Sequence, residues 1–437
     1  MKTKRNEGRT VLQYCLTIVL LCLLYSSPTM AVEPTMTTLL EAAGQQPDIQ
    51  ASSLGIKATE IQLSQARAEL FPKISAFGSY TSFNSPTNLR PMAPTEVNIA
   101  GGDSIPFSED ILRYGVKAEM PLFVKSLYTL ADKVKHLQQA SRTGHKLKLL
   151  TKEATVVSLN ASLAFNEQLN KALDARLSSL RKTRDDLQLA VEIGRTPESE
   201  LLKVETALNK LQKQRNDLRR QTIALTNQLE QLTGIKLGHS VPLTLKRPVE
   251  SGDFLQLTRQ QAGVAAAEKG VQQAWDQHYP TLKLEGVLSE NTGDAYNTGH
   301  SIDRSYNYIG VKLAIPLFNR SLSTSIDQAR IKLRREKQQL AQLRIDLTTK
   351  AQTLNAQLPL IDHSTALAQT SLANNQRLLD VAKVAYRSGR MTTEEYLRFE
   401  AQVFDAEANL YKTYVDRWQV ISQQAVLYGD DLTGVVQ

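Results

Sequence analysis

The sequence predicts a mainly α fold with a smaller β section, built from a helix–strand–strand–long helix–helix unit that occurs twice. The segment GVKAEMPLF at 115–123 returns as GVKLAIPLF at 310–318, an offset of 195 residues. The segment EIGRTPESELLKVE at 192–205 returns as RSGRMTTEEYLRFE at 387–400 with the same offset. Landmarks this far apart that keep one register indicate a duplicated structural unit.

The repeat divides the chain into four segments. Residues 1–31 carry basic residues, then an apolar run and then small residues, which is the pattern of a secretory signal peptide. An uncleaved membrane anchor is the alternative, although the apolar run at 11–25 is shorter than the roughly 20 residues that span a bilayer. The first repeat is predicted at 32–235, a linker at 236–252 and the second repeat at 253–437.

Each repeat is predicted to begin with a helix and to continue with two strands. The helices Met36–Leu70 and Phe254–His278 end at aromatic–proline pairs, because proline stops a helix and constrains the residue before it. The prolines that end these helices, Pro72 and Pro280, are 208 residues apart, whereas Gly115 and Gly310 of the GVK segments are 195 apart. The region between the two strands is therefore 13 residues longer in the first repeat than in the second (208 − 195). The predicted strands are Lys73–Phe83, Ile111–Met120, Thr281–Glu290 and Tyr306–Ile315.

Most of each repeat is one long helix, at 127–192 or 322–387. Apolar and small residues recur along these helices at the spacing of a coiled-coil seam. Pro359 is expected to kink the second long helix near its middle. Each long helix ends before a glycine, Gly194 or Gly389, which is the residue that most often closes a helix at C′.

A return helix follows each of these turns, at 198–232 and at 393–427. The first is expected to begin with Thr196 as its N-cap, and the second with Thr392 or Thr393, because a hydroxyl followed by acidic residues favours a helix start. The two return helices are about half as long as the long helices. Two short helices stacked end to end can therefore pack alongside one long helix.

The alternating strands are predicted to form a membrane barrel when several copies of the chain combine. Apolar residues such as Val116 and Val311 alternate with Lys117 and Lys312, which also fits a half-buried hairpin of a soluble domain. Four strands cannot close a membrane barrel, which needs about eight, and an open sheet edge is unstable in lipid. Three chains would supply twelve strands and a ring of long helices, which describes a membrane-anchored conduit. In it, the residues predicted to face lipid are Val116, Val311 and Leu313.

The chain resembles the TolC family of outer-membrane efflux proteins over essentially all of the sequence after residue 31. The resemblance is carried by ARAELFPKI at 66–74, by both GVKxxxPLF segments and by both hairpin tips. It implies a homotrimer in the outer membrane of a Gram-negative bacterium, with a twelve-stranded β-barrel continuous with a long periplasmic α-helical barrel. Family members export drugs, metal ions or proteins with a periplasmic adaptor and an inner-membrane transporter of the RND, ABC or MFS type.

The resemblance also implies a gate at the periplasmic tips. Tyr386 matches the family's tip tyrosine, Glu395 matches an acid that forms a ring at the entrance, and Glu200 matches an acid in the network of the first tip. Met391 stands where some family members have a gate arginine, and Arg390 lies one position earlier. Arg398 stands where a second gate acid would be. A solvated helix end is the alternative interpretation. The tip-turn residues expected to contact the adaptor are Gly194, Arg195 and Gly389.

No catalytic or cofactor-binding constellation is predicted. The six histidines form no HxxxH pair, and no glycine-rich phosphate loop is present. Without residues 1–31, which hold four Lys/Arg and one Glu, the net charge falls from +8 to +5, which does not indicate nucleic-acid binding. The alternatives to an export duct are a periplasmic adaptor, which would carry one hairpin rather than two, and a soluble all-helical enzyme or scaffold, such as a helical scaffold of an export complex.

Overall fold

The computed structural model describes residues 34–437, so the predicted signal peptide at 1–31 lies outside the described residues. Long helices dominate the chain, and a small sheet lies between them in sequence. The elements of the first repeat are α1 (Met36–Gly44), α2 (Pro47–Ala68), β1 (Lys73–Asn88), β2 (Phe107–Phe123), α3 (Lys125–Glu192) and α4 (Glu198–Thr233). Those that follow are α5 (Leu255–Asp276), β3 (Thr281–Asp294), β4 (Ser301–Ala314), α6 (Arg320–Arg387), α7 (Thr393–Tyr428) and α8 (Leu432–Val435).

The duplication is confirmed element by element. Helices α3 and α6 each have 68 residues, and α4 and α7 each have 36. Their first and last residues correspond at the offset of 195 seen in the sequence, whereas α2 and α5 correspond at 208. The mainly α fold built from a repeated unit is therefore as predicted, while the division at 32–235, 236–252 and 253–437 stays a prediction.

The prediction of one helix over Met36–Leu70 is wrong. The chain forms α1, breaks at Gln45 and Gln46, and starts α2 at Pro47. Proline has no amide hydrogen to donate and fits the first turn of a helix, so a helix restarts there more readily than it continues through. By contrast, α6 continues through Pro359 without interruption.

The four strands form one antiparallel sheet in the order β1-β2-β3-β4. Each repeat contributes one hairpin, and the pairing of β2 with β3 joins the two repeats. Gly115 lies at this junction, where an added Cβ would be 2.2 Å from the Leu288 carbonyl oxygen. The first glycine of the repeated GVK segment is therefore required by the close approach of β3.

Helix α3 is the central helix of the described chain, since it packs against α2, α4, α5 and α7. Helix α6 makes its main contacts with α5 and α7 only. The largest core cluster lies where α1, α3, α7, α8 and the segment 236–252 meet, and it includes Leu39, Val157 and Leu432. Asn160 ties this segment to α3, donating to the Val241 carbonyl at 2.7 Å and accepting from the Val241 amide at 2.9 Å.

Among residues 34–437, no helix has both the length and the apolar character needed to cross a membrane.

Candidate functional site

The two helical tips, defined as residues 192–200 and 387–395, share one backbone motif. Gly194 and Gly389 adopt left-handed conformations with φ of 72° and 71°. The next amide in each tip reaches back to the long helix, with Arg195 donating to the Ala190 carbonyl at 2.8 Å and Arg390 donating to Ala385 at 2.9 Å. This geometry satisfies carbonyls that a helix end leaves open. It produces two compact turns, whose contact with an adaptor stays a prediction.

The return helices begin differently in the two tips. In the second tip Thr392 is the N-cap and forms a capping box, because its hydroxyl accepts from the Glu395 amide at 3.2 Å and the Glu395 carboxylate accepts from the Thr392 amide at 3.0 Å. In the first tip the predicted N-cap Thr196 is wrong. Pro197 occupies that position with extended φ and ψ of −66° and 143°, without a side-chain cap.

Thr393 is the point where the two tips meet. Its side chain is 4% exposed and lies beside the Glu200 carboxylate of the first tip. The Lys203 ammonium, 2.8 Å from Glu200, holds the pKa of that carboxyl below its usual value, and the Thr393 hydroxyl acts in the same direction. Tyr386 also approaches Thr393, with 3.4 Å between the two hydroxyl oxygens. Glu200 of the first tip and Tyr386, next to the second tip, therefore both contact Thr393.

The remaining predicted gate residues are exposed. Arg390, Glu395 and Arg398 lie on the solvent side of the second tip. The hydrogen bonds from the Thr392 backbone and hydroxyl lower the pKa of Glu395, and the charge of Arg398 adds to this. Glu395 is thus held by its own helix start and carries a negative charge at neutral pH. Whether it lines a constriction depends on the assembly and stays a prediction.

A buried polar cluster below the second tip was not anticipated from the sequence. Glu400 is 4% exposed, and one of its oxygens accepts from Ser179 and from the Tyr396 hydroxyl, both at 2.7 Å. Burial raises the pKa of Tyr396 to about 12, and its ring stacks on Tyr386 at 4.7 Å between centroids. Because Ser179 belongs to α3, this cluster connects the second tip to the first long helix.

The three residues predicted to face lipid lie on one face of the sheet. Val116 is directly opposite Leu288, and Val311 is directly opposite Leu284, so all four side chains point to the same side. Val116 is 43% exposed, and Val311 and Leu313 are both 60% exposed. Other large apolar side chains exposed on this face are Ile74, Tyr80, Leu112, Tyr114, Leu288 and Ile309.

The opposite face of the sheet is polar. It carries the cations that alternate with the apolar residues, and Lys312 lies 3.7 Å from Glu285 across the β3–β4 ladder. The cations on this face are Lys73, Arg113, Lys117, Lys283, Arg304 and Lys312. A sheet that is apolar on one exposed face and polar on the other, attached to long paired helices, is the arrangement of an outer-membrane channel protein.

Comparison with solved structures supports this class of fold. The outer membrane channel CmeC of Campylobacter jejuni aligns with 16% identity and a TM-score of 0.77, covering 92% of this chain and 85% of that one. The outer membrane protein VceC of Vibrio cholerae aligns with 15% identity and a TM-score of 0.75, covering 92% and 96%. The open-state MtrE outer membrane channel of Neisseria gonorrhoeae aligns with 15% identity and a TM-score of 0.69, covering 91% of this chain and 89% of that one.

Family membership rests on the sequence. The family model described as outer membrane efflux protein matches residues 39–235 and 255–421, so it spans both repeats. The chain therefore belongs to the outer membrane efflux protein family. A search of curated proteins finds no match. The expected resemblance to the TolC family is confirmed.

Proposed function

We propose that the protein is the outer-membrane exit duct of a tripartite export system, a homotrimer whose sheets close into one barrel and whose helices form a periplasmic tunnel. Substrates would be delivered by an inner-membrane transporter through a periplasmic adaptor, and the duct itself would perform no catalysis. The observation that carries this proposal concerns the two edge strands of the sheet, β1 and β4. They are the repeat counterparts of β3 and β2, which pair with each other inside the chain at the seam between the two repeats.

The internal seam defines how a second copy would pair. Inside the chain, β2 of the first repeat pairs with β3 of the second. Strand β4 is the repeat counterpart of β2, and β1 is the counterpart of β3. The two hairpins have the same register. Lys73 pairs with Glu119 in the first hairpin, and their repeat counterparts, Thr281 (offset 208) and Ala314 (offset 195), pair with each other in the second. The counterpart of the internal seam is therefore β4 of one copy against β1 of the next.

The glycines of the repeated GVK segment support this pairing. Gly115 is crowded by β3, whereas a Cβ on its counterpart Gly310 would meet no described atom within 4 Å. The sequence thus carries the same glycine at an edge where the single chain provides no neighbour. A β1 strand from a second copy would supply the neighbour that makes this glycine necessary.

The long helices give the same indication. Thr183 in α3 is 9% exposed, whereas Leu378, its counterpart in α6, is 50% exposed. Along its length α3 also packs against α5 and α7, which belong to the second repeat. The equivalent cover for α6 would come from α2 and α4 of another copy. The large apolar residues exposed on α6 whose counterparts in α3 are at least partly covered are Ile331, Ile345, Leu360, Leu367 and Leu378.

The family and the two faces of the sheet support a particular number of copies and a particular orientation. Three copies give twelve strands, whereas two would give eight, and the trimer is the form that the TolC resemblance implies. The apolar face would contact lipid and the polar face would line water. The tips, with Gly194, Arg195 and Gly389, would then lie in the periplasm and receive the adaptor.

Reconstitution of the purified protein in a planar bilayer tests the function. We expect stepwise conductance from a heat-sensitive trimer that is extracted from the outer membrane only with detergent. A protein recovered from the soluble periplasmic fraction as a monomer, with no conductance at any protein concentration, would contradict the proposal. That result would favour an adaptor or scaffold role instead.

A further inference from the structure

The polar face of the sheet contains a cleft that no part of the proposed duct function explains. It has a volume of about 700 Å³ and lies between the strands and the chain segment that follows β1. Its lining includes the cations Arg90, Arg113 and Lys117 and the aromatic residues Phe77, Tyr306 and Tyr308. None of its lining residues is acidic.

One wall of the cleft is held in place by buried contacts. Leu89 is 2% exposed and packs in a small apolar cluster with Ile111 and Ile302 on the same face of the sheet. The Asn291 side-chain amide donates to the Leu89 carbonyl at 2.7 Å, and the Leu89 amide donates to the Pro106 carbonyl at 3.0 Å. The segment after β1 is therefore attached to the sheet, and it carries Arg90 to the rim of the cleft.

Two of the cations that line the cleft flank a glycine, which has no side chain. Arg113 and Lys117 lie two residues on either side of Gly115 on β2, so all three point to the polar face. Neither cation takes part in an ion pair within residues 34–437. Arg90 donates to Glu96 at 3.2 Å, but its buried Nε has no hydrogen-bond partner among the described residues. The cleft therefore has positive charge and unused donors.

The aromatic wall lies beside these cations. The rings of Tyr306 and Tyr308 are 5.5 Å apart and tilted by 48°. In the ladder, Tyr308 follows Val287 and Lys117 across the sheet, so an aromatic ring and an ammonium group share one row. Flat apolar surface next to unpaired cations suits a ligand that has both an aromatic ring and a negative charge.

We propose that this cleft binds aromatic organic anions, such as arene carboxylates or sulfonates. The ring would stack against Tyr306 and Tyr308, and the anionic group would accept from Arg113 and Lys117. The second repeat does not reproduce this lining, because its inter-strand loop is shorter and Tyr308 stands at the position equivalent to Arg113. We therefore expect one such site in each chain. Its placement on the export route, though not the binding itself, rests on the proposed function.

The test measures binding of 1-naphthalenesulfonate to the purified full-length protein in detergent by isothermal titration calorimetry. The variant R113Q/K117Q removes both cations, and the control K283Q/K312Q removes the same charge from the same face outside the cleft. We expect R113Q/K117Q to weaken binding at least about tenfold, since each charge-assisted hydrogen bond contributes on that scale. The control should change the affinity by less than about twofold, as long-range charge effects are screened.

Two results would overturn the site. One is equal affinity of the wild type and R113Q/K117Q for 1-naphthalenesulfonate, and the other is equal affinity of the wild type for the cation 1-naphthylmethylammonium. Conductance measured in parallel separates this proposal from the duct. Selective binding without any conductance would remove the duct and keep the site, whereas conductance without selective binding would keep the duct and remove the site.

Discussion

Leu150 and Ile345 occupy the same position in the two repeats, yet Leu150 is 2% exposed and Ile345 is 61% exposed. Both lie in the long helices, at the offset of 195 that relates α3 to α6. The first is covered because helices of both repeats pack around α3. An isoleucine at the uncovered position is what the proposed trimer would require, because another copy would supply the missing helices there.

Replacing Ile345 with aspartate should prevent assembly without unfolding the chain. An unpaired carboxylate in an apolar helix interface costs several kcal/mol, whereas in the single chain it would be solvated. The control is Val381→Asp, because Val381 is 68% exposed and its counterpart in the first repeat is an exposed aspartate, Asp186. Light scattering of the detergent-purified variants should show trimer for Val381→Asp and monomer for Ile345→Asp. Trimer for both would place the interface elsewhere.

The lipid-facing assignment makes Val311 and its neighbour Lys312 respond oppositely. Val311→Arg should block stable insertion, because a cation near the middle of a barrel's lipid face costs about 2–4 kcal/mol per chain. Lys312→Ala should be tolerated, since Lys312 points to the polar face. The amount of heat-sensitive trimer in the outer-membrane fraction gives the answer. Equal tolerance of both changes would mean that the faces are assigned the wrong way round.

The gate hypothesis can be tested without disturbing the tip. Glu395→Gln removes the charge but keeps an oxygen acceptor, so the capping box with Thr392 can still form. Three carboxylates around one axis would favour cations, and Arg398 would partly offset them. The reversal potential in a salt gradient should therefore shift toward lower cation preference for Glu395→Gln and toward higher preference for Arg398→Gln. An unchanged reversal potential in both variants would show that these residues do not line the constriction.

We expect Glu153 to make the stability of the chain depend on pH, because its carboxyl group is buried. It is 4% exposed, one carboxylate oxygen has no hydrogen-bond partner among the described residues, and burial, with a smaller contribution from Asp431, raises its pKa from 4.5 to about 7. Its neighbour Lys152 is already bound to Asp48. The folded chain therefore holds this proton more tightly than the unfolded chain, and stability falls as pH rises from about 4.5 to about 7.

Glu153→Gln should remove this penalty. At pH 8 the variant should be more stable than the wild type by on the order of 3 kcal/mol per chain, whereas at pH 4 the two should be nearly equal. Thermal unfolding followed by circular dichroism measures the difference. The control is Glu192→Gln, an exposed position at the end of the same helix. A stabilisation by Glu153→Gln that is the same at pH 4 and pH 8 would exclude ionisation as its cause.

The parts of the fold that the sequence predicts well are those with a local physical signal. Gly194 and Gly389 close the long helices because a left-handed C′ position favours glycine, and Thr392 with Glu395 is a recognisable capping box. Thr196 gave a false signal of the same kind, because a Thr-Pro pair usually places the cap on the hydroxyl residue. In the folded chain the helix starts one residue later, after Pro197.

The parts that could not be predicted depend on which face another helix covers. Glu400 and Glu205 occupy the same repeat position, but Glu400 is buried and Glu205 is exposed. Nothing within either tip distinguishes them, because the burial of Glu400 comes from α7 packing on α3. The cleft on the polar face of the sheet is equally hidden from the sequence, since Leu89 and Asn291, which are hydrogen-bonded at its wall, are 202 residues apart in the chain.

The proposed trimer requires β4 of one copy to pair with β1 of the next in the register of the internal seam. Lys117 pairs with Val287 inside the chain, so the repeat offsets place Lys312 opposite Ser79 of a second copy. The direct test is oxidation of S79C/K312C in isolated outer membranes, with S75C/K312C, roughly 13 Å out of register, as the control. We predict a covalent trimer, and no larger species, on a non-reducing gel for S79C/K312C only. Absence of cross-linking, a product that stops at dimer, or a ladder beyond three chains would exclude this pairing in a trimer.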